Sequence, residues 1–205
     1  MVSHMKKNLI LFALIGTLQF CKAQNVETKS QIGEVFKAIV KLDSVQTRIL
    51  SVSLNYIRDY EFDGDYSRER LFPSLFKTDS LGNKVQKGFI CVEVMQYQYP
   101  IYTIIKKYDN SFDSTYYQKQ IANQEKYILW KEFDLKQTNA RFVSWKLKRL
   151  FRTIRIISNP IFNKNGDIAI VKVSELGNRE IGDRIYILSK IENKWDLKEK
   201  IKAKN

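Results

Sequence analysis

Ile168-Ala169-Ile170-Val171-Lys172-Val173 is apolar at five of six positions, and no other stretch narrows the fold as much. A strand with one wet face alternates apolar and polar residues, so a run this continuous is expected to be a central strand covered on both faces. Its neighbours in sequence are also strand-like. Ile154–Ser158 and Pro160-Ile161-Phe162 precede it, and Pro160 suits an edge, a strand start or a bulge because it has no amide proton for a ladder. Asn165-Gly166 stands between Phe162 and Ile168, and both residue types tolerate positive φ, so a hairpin turn is expected there. Leu176–Asp183, with Gly177 and Gly182, reads as a longer loop. Arg184–Ile191 is a further strand, with Ile185 and Ile187 on one face and Tyr186 and Leu188 on the other. Glu192-Asn193 fits a two-residue turn. Trp195, Leu197 and Ile201 then alternate with Lys194, Asp196, Lys198 and Lys200, the pattern of a strand with one wet face. Lysines on that face discourage edge-to-edge pairing. The last third of the chain is expected to be a β-meander.

Ser158-Asn159-Pro160-Ile161-Phe162-Asn163-Lys164-Asn165-Gly166, followed by Ala169-Ile170-Val171, Ile185-Tyr186-Ile187-Leu188 and Lys194-Trp195, resembles the C-terminal signature of small secreted proteins of Bacteroidetes-type bacteria. The resemblance spans roughly the last quarter of the chain. It implies export and a strand-rich C-terminal fold, and it carries no activity. Many members place a Cys- and Gly-rich loop before the penultimate strand. Here Glu175–Asp183 has no cysteine, so no role of that loop transfers.

The other end reads as an export signal. Lys6-Lys7 is a charged start, Leu9–Phe20 an apolar core, and Cys21-Lys22-Ala23 ends in a small residue suited to signal peptidase, with Gln24 as the first mature residue. Met5 offers a second start, with Met1–His4 a cloning remnant or an upstream start. The apolar core is shorter than the ~20 residues of a spanning helix. A lipoprotein acylated at Cys21 is the alternative, and Phe20 is too large for the residue before such a cysteine. Residues 24–205 are expected to form a single domain, exported to the periplasm or beyond.

That leader decides which chemistry is open. The chain carries a formal net charge of +13, and Met1–Ala23 contains three lysines and no acid, so the mature chain carries +10. The only histidine, His4, and one of two cysteines, Cys21, leave with the leader. A mature chain with no histidine and one cysteine cannot build a Ser-His-Asp or Cys-His arrangement. It also cannot build a His-ligated zinc site, a Cys₄ zinc site or an intramolecular disulfide. Cys91, inside Phe89-Ile90-Cys91-Val92-Glu93-Val94, reads as a buried inert thiol.

Between the two ends, Ile32, Val35, Phe36, Ile39 and Val40 fall at helical spacing behind a capping box, Thr28 with Gln31, and Asp43-Ser44 is expected to end that helix. Leu50, Val52, Leu54 and Tyr56 alternate with Ser51, Ser53 and Asn55, a half-buried strand. Phe89–Met95 and Ile101–Lys107 read as strands broken by Pro100. Ser114–Glu125 reads as a short helix capped by Asp113 or Ser114, and Tyr127–Phe133 as a strand.

Four patterns bear on function. Asp59, Glu61, Asp63 and Asp65, with Gly64, follow the first half of a calcium loop. The bidentate Glu due at the twelfth position is Arg70, so these acids are weak metal candidates and a solvated acidic loop is the plainer expectation. Ser74-Leu75-Phe76-Lys77 matches S-x-x-K without the companion motifs of penicillin-recognising enzymes. Tyr97, Tyr99, Tyr102, Tyr108, Tyr116 and Tyr117 would suit a sugar- or base-binding cleft, but tyrosine at half-buried strand positions is the ordinary reading. Lys146, Lys148, Arg149, Arg152 and Arg155 are the densest basic cluster, interleaved with Trp145, Leu147, Leu150, Phe151 and Ile154. A helix there would put Lys148, Arg152 and Arg155 on one face. The cluster would attract anionic glycan, lipid headgroups or nucleic acid, or it is simply the solvated face of a basic protein.

These readings converge on an α+β fold, a mostly antiparallel sheet ending in a C-terminal meander with an N-terminal helix and a smaller second helix packed on it. The functional expectation is an exported, non-enzymatic module, without a cofactor, that binds a polyanion or an envelope protein. A carboxylate-dependent hydrolase acting on an extracellular glycan or other polymer, and a structural envelope protein, are the alternatives.

Overall fold

A computed structural model gives the fold. It describes residues 29–42, 47–51, 53, 57–64, 75–87, 96–97, 99–124, 130, 133, 138, 140–144, 146, 151, 153–177 and 182–204. The leader with Cys21 and Thr28, the helix stop at Asp43-Ser44, Val52, Leu54, Tyr56, and Phe89–Met95 with Cys91 lie outside those residues.

The fold is α+β, and a meander does organise it. Helix α1 covers residues 29–41. In chain order there follow β1 (Thr47–Leu50), α2 (Asp59–Asp63), β2 (Phe76–Thr78), β3 (Lys84–Gln86), β4 (Gln96–Tyr97), α3 (Ile101–Ile105) and α4 (Ser114–Ala122). The chain continues through β5 (Ala140–Val143), β6 (Thr153–Ile157), β7 (Ile161–Phe162), β8 (Ile168–Gly177), β9 (Gly182–Ile191) and β10 (Lys194–Lys204). The large sheet runs β4-β10-β9-β8-β6-β1-β5, with β7 also on β8, while β2 and β3 form a separate hairpin. Pairing is antiparallel from β4 to β6 and parallel at β6–β1 and β1–β5.

Strand β8 is central, as its composition predicts. β9 lies along one side of it, and β6 and β7 lie end to end along the other. The break between them is at Pro160, where the ladder cannot continue. Ser158 repairs the break: its amide donates to the Lys172 carbonyl (2.8 Å), and its Oγ accepts from the Lys172 amide (2.9 Å).

The two faces of the sheet bury different helices. On one face Val35, Phe36, Ile39 and Val40 of α1 pack with Ala169, Val171, Val173, Tyr186, Leu188 and Trp195. This is the helical stripe expected from the sequence, and each such side chain contributes about 1.5–3 kcal/mol on burial. On the opposite face Phe62 of α2, Ile101, Ile104 and Ile105 of α3, and Tyr117 and Ile121 of α4 pack on Ile168, Ile170, Ile185, Ile187 and Ile201. Asp113 caps α4, accepting from the Tyr116 amide at 3.1 Å.

Several local expectations are corrected. Ile101–Ile105 is a helix, not a strand, because Ile101, Ile104 and Ile105 bury together at one-turn spacing. Trp130 lies in a helical turn. The first strand sits earlier than the alternation suggests, at Thr47–Leu50, and Ser53 is buried, donating to Asn159 Oδ1 at 2.6 Å. Leu176 and Asp183 belong to strands β8 and β9 rather than to a loop. In β10 the ladder slips between Leu197 and Glu199. That bulge sends Trp195 and Leu197 to the α1 face and Ile201 to the opposite one.

Of the two expected turns, Glu192-Asn193 is present as read and the one at Asn165-Gly166 is shifted by a residue. Glu192 and Asn193 have φ of 48° and 63°, the mirror-image type I′ geometry that suits strand twist. In the other, the Gly166 amide donates to the Asn163 carbonyl at 3.1 Å, and only Gly166 has positive φ, at 70°. The turn is centred on Lys164-Asn165, with Gly166 closing it. Gly166→Val is expected to destabilise by about 1 kcal/mol or more, because a β-branched residue resists that φ. Its added Cβ would also sit 3.3 Å from Gln31 Nε2. Urea denaturation reads the effect, and an unchanged midpoint would mean the turn relaxes freely.

Candidate functional site

Of the basic cluster expected at Lys146–Arg155, the described residues include Lys146 and Arg155. Arg155 lies in strand β6, not on a helix, because Ile154, Ile156 and Ile157 around it are buried in the sheet. Its Nε and Nη2 lie 2.8 Å and 2.7 Å from Glu175 Oε1. Lys146 is exposed beyond β5. Lys148, Arg149 and Arg152 lie outside the described residues.

The sheet gives Arg155 partners that sequence order hides. Arg184 of β9 donates to the same Glu175 oxygen at 2.8 Å. Lys202 is opposite Arg184, and Lys200 is opposite Tyr186 with its Nζ 5.1 Å from that ring. Directly paired residues share a face, so Arg155, Arg184, Lys200 and Lys202 stand on the α1 face around one carboxylate. Strands β6, β9 and β10 carry the cations and β8 the carboxylate, spanning about 15 Å at the ~4.8 Å strand spacing. Lys200 and Lys202 are exposed, and the two arginines are partly so. Among the described residues, Glu175 is the carboxylate that bonds both arginines of this patch. Sequence reading missed Arg184, Lys200 and Lys202, because strand pairing brings Arg184 in and an unbroken period of two would place Lys200 and Lys202 on the face away from Trp195 and Leu197.

A second charged cluster lies on the opposite face and is buried. Along β8 the side chains on that face run Ile168, Ile170, Lys172, Ser174 and Leu176. Lys172 Nζ lies 2.5 Å from Glu61 Oε1 and 3.0 Å from Asp183 Oδ2. The other Glu61 oxygen accepts the Arg58 amide at 2.8 Å, and Ser174 Oγ donates to Asp183 Oδ1. Lys172 is 6 % exposed and Glu61 2 %. Burial pushes the lysine pKa down, but Glu61 and Asp183 pull it up more strongly, and the net direction is upward. An ammonium held protonated in this way cannot take a proton from Ser174, so the Lys-Ser proximity does not make a nucleophile.

The remaining motifs lose their meaning in the folded geometry. Asp59–Asp63 is a helical turn, not a calcium loop. Glu61 turns inward to Lys172, and Asp65 lies outside the described residues. Among the described residues no group of three His, Cys, Asp or Glu could hold a metal. Lys77 belongs to strand β2, so it cannot stand one helical turn from Ser74, which itself lies outside the described residues. Tyr102 and Tyr117 sit on helices, and with Tyr108 they pack into the core. Tyr117 donates to buried Asp109 at 3.0 Å, and burial, reinforced by that carboxylate, drives its phenol pKa upward.

A groove of about 420 Å³ runs beside α1, lined by Lys29, Ser30, Gly33, Glu34, Lys37 and Phe133. Gly33 lets the Phe133 ring approach, since a Cβ there would meet ring carbon Cδ1 at 2.6 Å. No described helix is long and apolar enough to cross a membrane. Comparison with family models, with curated proteins and with solved structures finds no match to this chain.

Proposed function

We propose that this chain is an exported, non-enzymatic module that binds a polyanion, with an acidic glycan as the ligand class, on the α1 face of its meander. The supporting observation is that Arg155 and Arg184 share one oxygen of Glu175 while Lys200 and Lys202 stand exposed beside them. Closely spaced cations act together, because charges further apart than ~8 Å are largely screened at physiological salt. Lys146, Lys148, Arg149 and Arg152 precede Arg155 in sequence and add to the same positive balance. The resemblance of the C-terminal quarter to secreted proteins supports an exported location.

The hydrolase alternative needs two carboxylates facing a cleft. Among the described residues Glu61 and Asp183 converge, but both are committed to Lys172, which counts against it. Binding to a heparin-like glycan and to single-stranded DNA is expected to weaken as salt rises. In the Lys200→Gln/Lys202→Gln variant the log–log salt slope on DNA should fall by about 0.7 for each phosphate no longer neutralised. Melting should be almost unchanged, because exposed charges typically alter stability by within about ±0.5 kcal/mol. Wild-type binding that is absent at low salt, or unaltered in this variant and in Lys148→Glu/Arg152→Glu, would refute the reading.

A further inference from the structure

The hairpin β2–β3 stands apart from the main sheet and carries an unusual surface. Its register pairs Phe76 with Gln86, Lys77 with Val85 and Thr78 with Lys84, and the Lys87 amide donates to the Leu75 carbonyl at 2.8 Å. Leu75, Lys77, Val85 and Lys87 therefore share one face, with each apolar side chain opposite a lysine. That face is wet: Leu75 is 38 % exposed and Val85 41 %, and Lys77 and Lys87 are exposed. Phe76 and Gln86, on the other face, are half-buried.

The tip is built around Asp79. Its Oδ1 accepts the amides of Leu81 (2.9 Å) and Asn83 (2.8 Å), and its carbonyl accepts the Gly82 amide at 3.1 Å. The Asn83 amide leads the bonds that hold the Asp79 carboxyl below the usual carboxylate range. This acid, the only one between Leu75 and Lys87, is turned inward to the backbone. The wound tip leaves Leu81 84 % exposed. Three of the six exposed large apolar residues among those described lie on these thirteen positions.

We infer that the β2–β3 hairpin docks the protein onto an anionic lipid surface, with Leu81 entering the interface and Lys77 and Lys87 meeting the headgroups. Apolar side chains alternating with lysines suit that boundary, where the alkyl stems follow the apolar residues and the ammonium groups return to the phosphates. The charge complements an anionic leaflet, and the chain's balance of +13 has the same sign. Neither water nor a neutral apolar partner satisfies both halves of the surface. This site is separate from the glycan patch on the α1 face.

The test is co-sedimentation of the protein, purified from its native host, with phosphatidylcholine vesicles with and without about 30 % phosphatidylglycerol. Wild type is expected to bind the anionic vesicles and to leave the neutral ones. Lys77→Gln/Lys87→Gln should weaken partitioning by about fivefold for each charge removed, and Leu81→Ser by about tenfold. Both variants should melt as wild type and bind heparin-like glycan undiminished. The inference is overturned by equal binding to neutral vesicles, by no binding to either, or by variants that partition as wild type. It is also overturned if Lys200→Gln/Lys202→Gln, and not the hairpin variants, releases the vesicles. Capture of an envelope protein by a photo-crosslinker at position 81, without vesicle binding, would replace the lipid with a protein partner.

Discussion

Lys172→Ala is expected to destabilise the protein by about 3–5 kcal/mol, the usual cost of breaking a buried ion pair from one side. The substitution would leave Glu61 and Asp183 facing each other without their shared cation. Their oxygens lie 2.5 Å and 3.0 Å from Lys172 Nζ, so they are within 5.5 Å of each other. Two like charges that close repel each other when no cation stands between them. In the wild type the pH dependence of Lys172 falls on the alkaline side. The folded pKa of Lys172 is raised, so its stabilisation is complete below the ordinary lysine value of about 10.4 and is lost as pH climbs through the folded value. Tyr117, also raised, loses stability in the same direction above about pH 10. Urea midpoints from about pH 4 to about pH 11 check both slopes. The neutral triple variant Lys172→Met/Glu61→Gln/Asp183→Asn should recover most of the loss. Wild-type melting of Lys172→Ala would mean that water reaches the cluster.

Trp130→Ala should cost about as much, 3–5 kcal/mol by the scale of buried aromatic truncations. Trp130 is fully buried and stacks on Phe36 of α1 with ring centroids 4.3 Å apart and planes 3° from parallel. Its Nε1 donates to the Ile157 carbonyl at 3.3 Å, and its amide donates to the Ser51 carbonyl at 3.0 Å. One residue thus ties α1 to the ends of β1 and β6. Trp195 offers the control. It is 8 % exposed, and among the described residues its Nε1 has no acceptor. Trp195→Phe therefore gives up no hydrogen bond, whereas Trp130→Phe gives up one worth about 1 kcal/mol. Thermal melts of both Phe variants should rank in that order, and the reverse ranking would refute the assignment of Trp130 as the tie.

Much of this architecture was legible because its signals are local. The continuous apolar run of β8, the stripe of α1, the opposed faces of Ile185 and Tyr186, and the Glu192-Asn193 turn each follow from a period or a φ preference read over a few residues. The failures have physical causes as well. Ile101-Tyr102-Thr103-Ile104-Ile105 has strand propensity, but burial of three isoleucines at one-turn spacing overrode it. Ile201 changed face because a bulge carries no side-chain signature in β10. Lys172 looked like an irregularity in an apolar strand, since Glu61 is 111 positions away. The candidate patch was half visible for the same reason. Arg155 could be read, but Arg184, Lys200 and Lys202 join it only through strand pairing.

The position of β1 has a kinetic consequence. It lies between β6 and β5 in parallel register, yet Thr47 and Ala140 are 93 positions apart, and Ile49 and Arg155 are 106 apart. The strands from β7 to β10, by contrast, are joined by short connections. Long closures are entropically slow and local hairpins form in microseconds. Assembly is therefore expected to begin at the meander, with β1 threading late into a gap that β5 and β6 leave open. Pulse-labelled hydrogen exchange should show the Ile49 and Leu50 amides protected after those of Ile187 and Leu188. Until β1 arrives, the β6 edge is unpaired, and that interval is when the chain is most exposed to self-association.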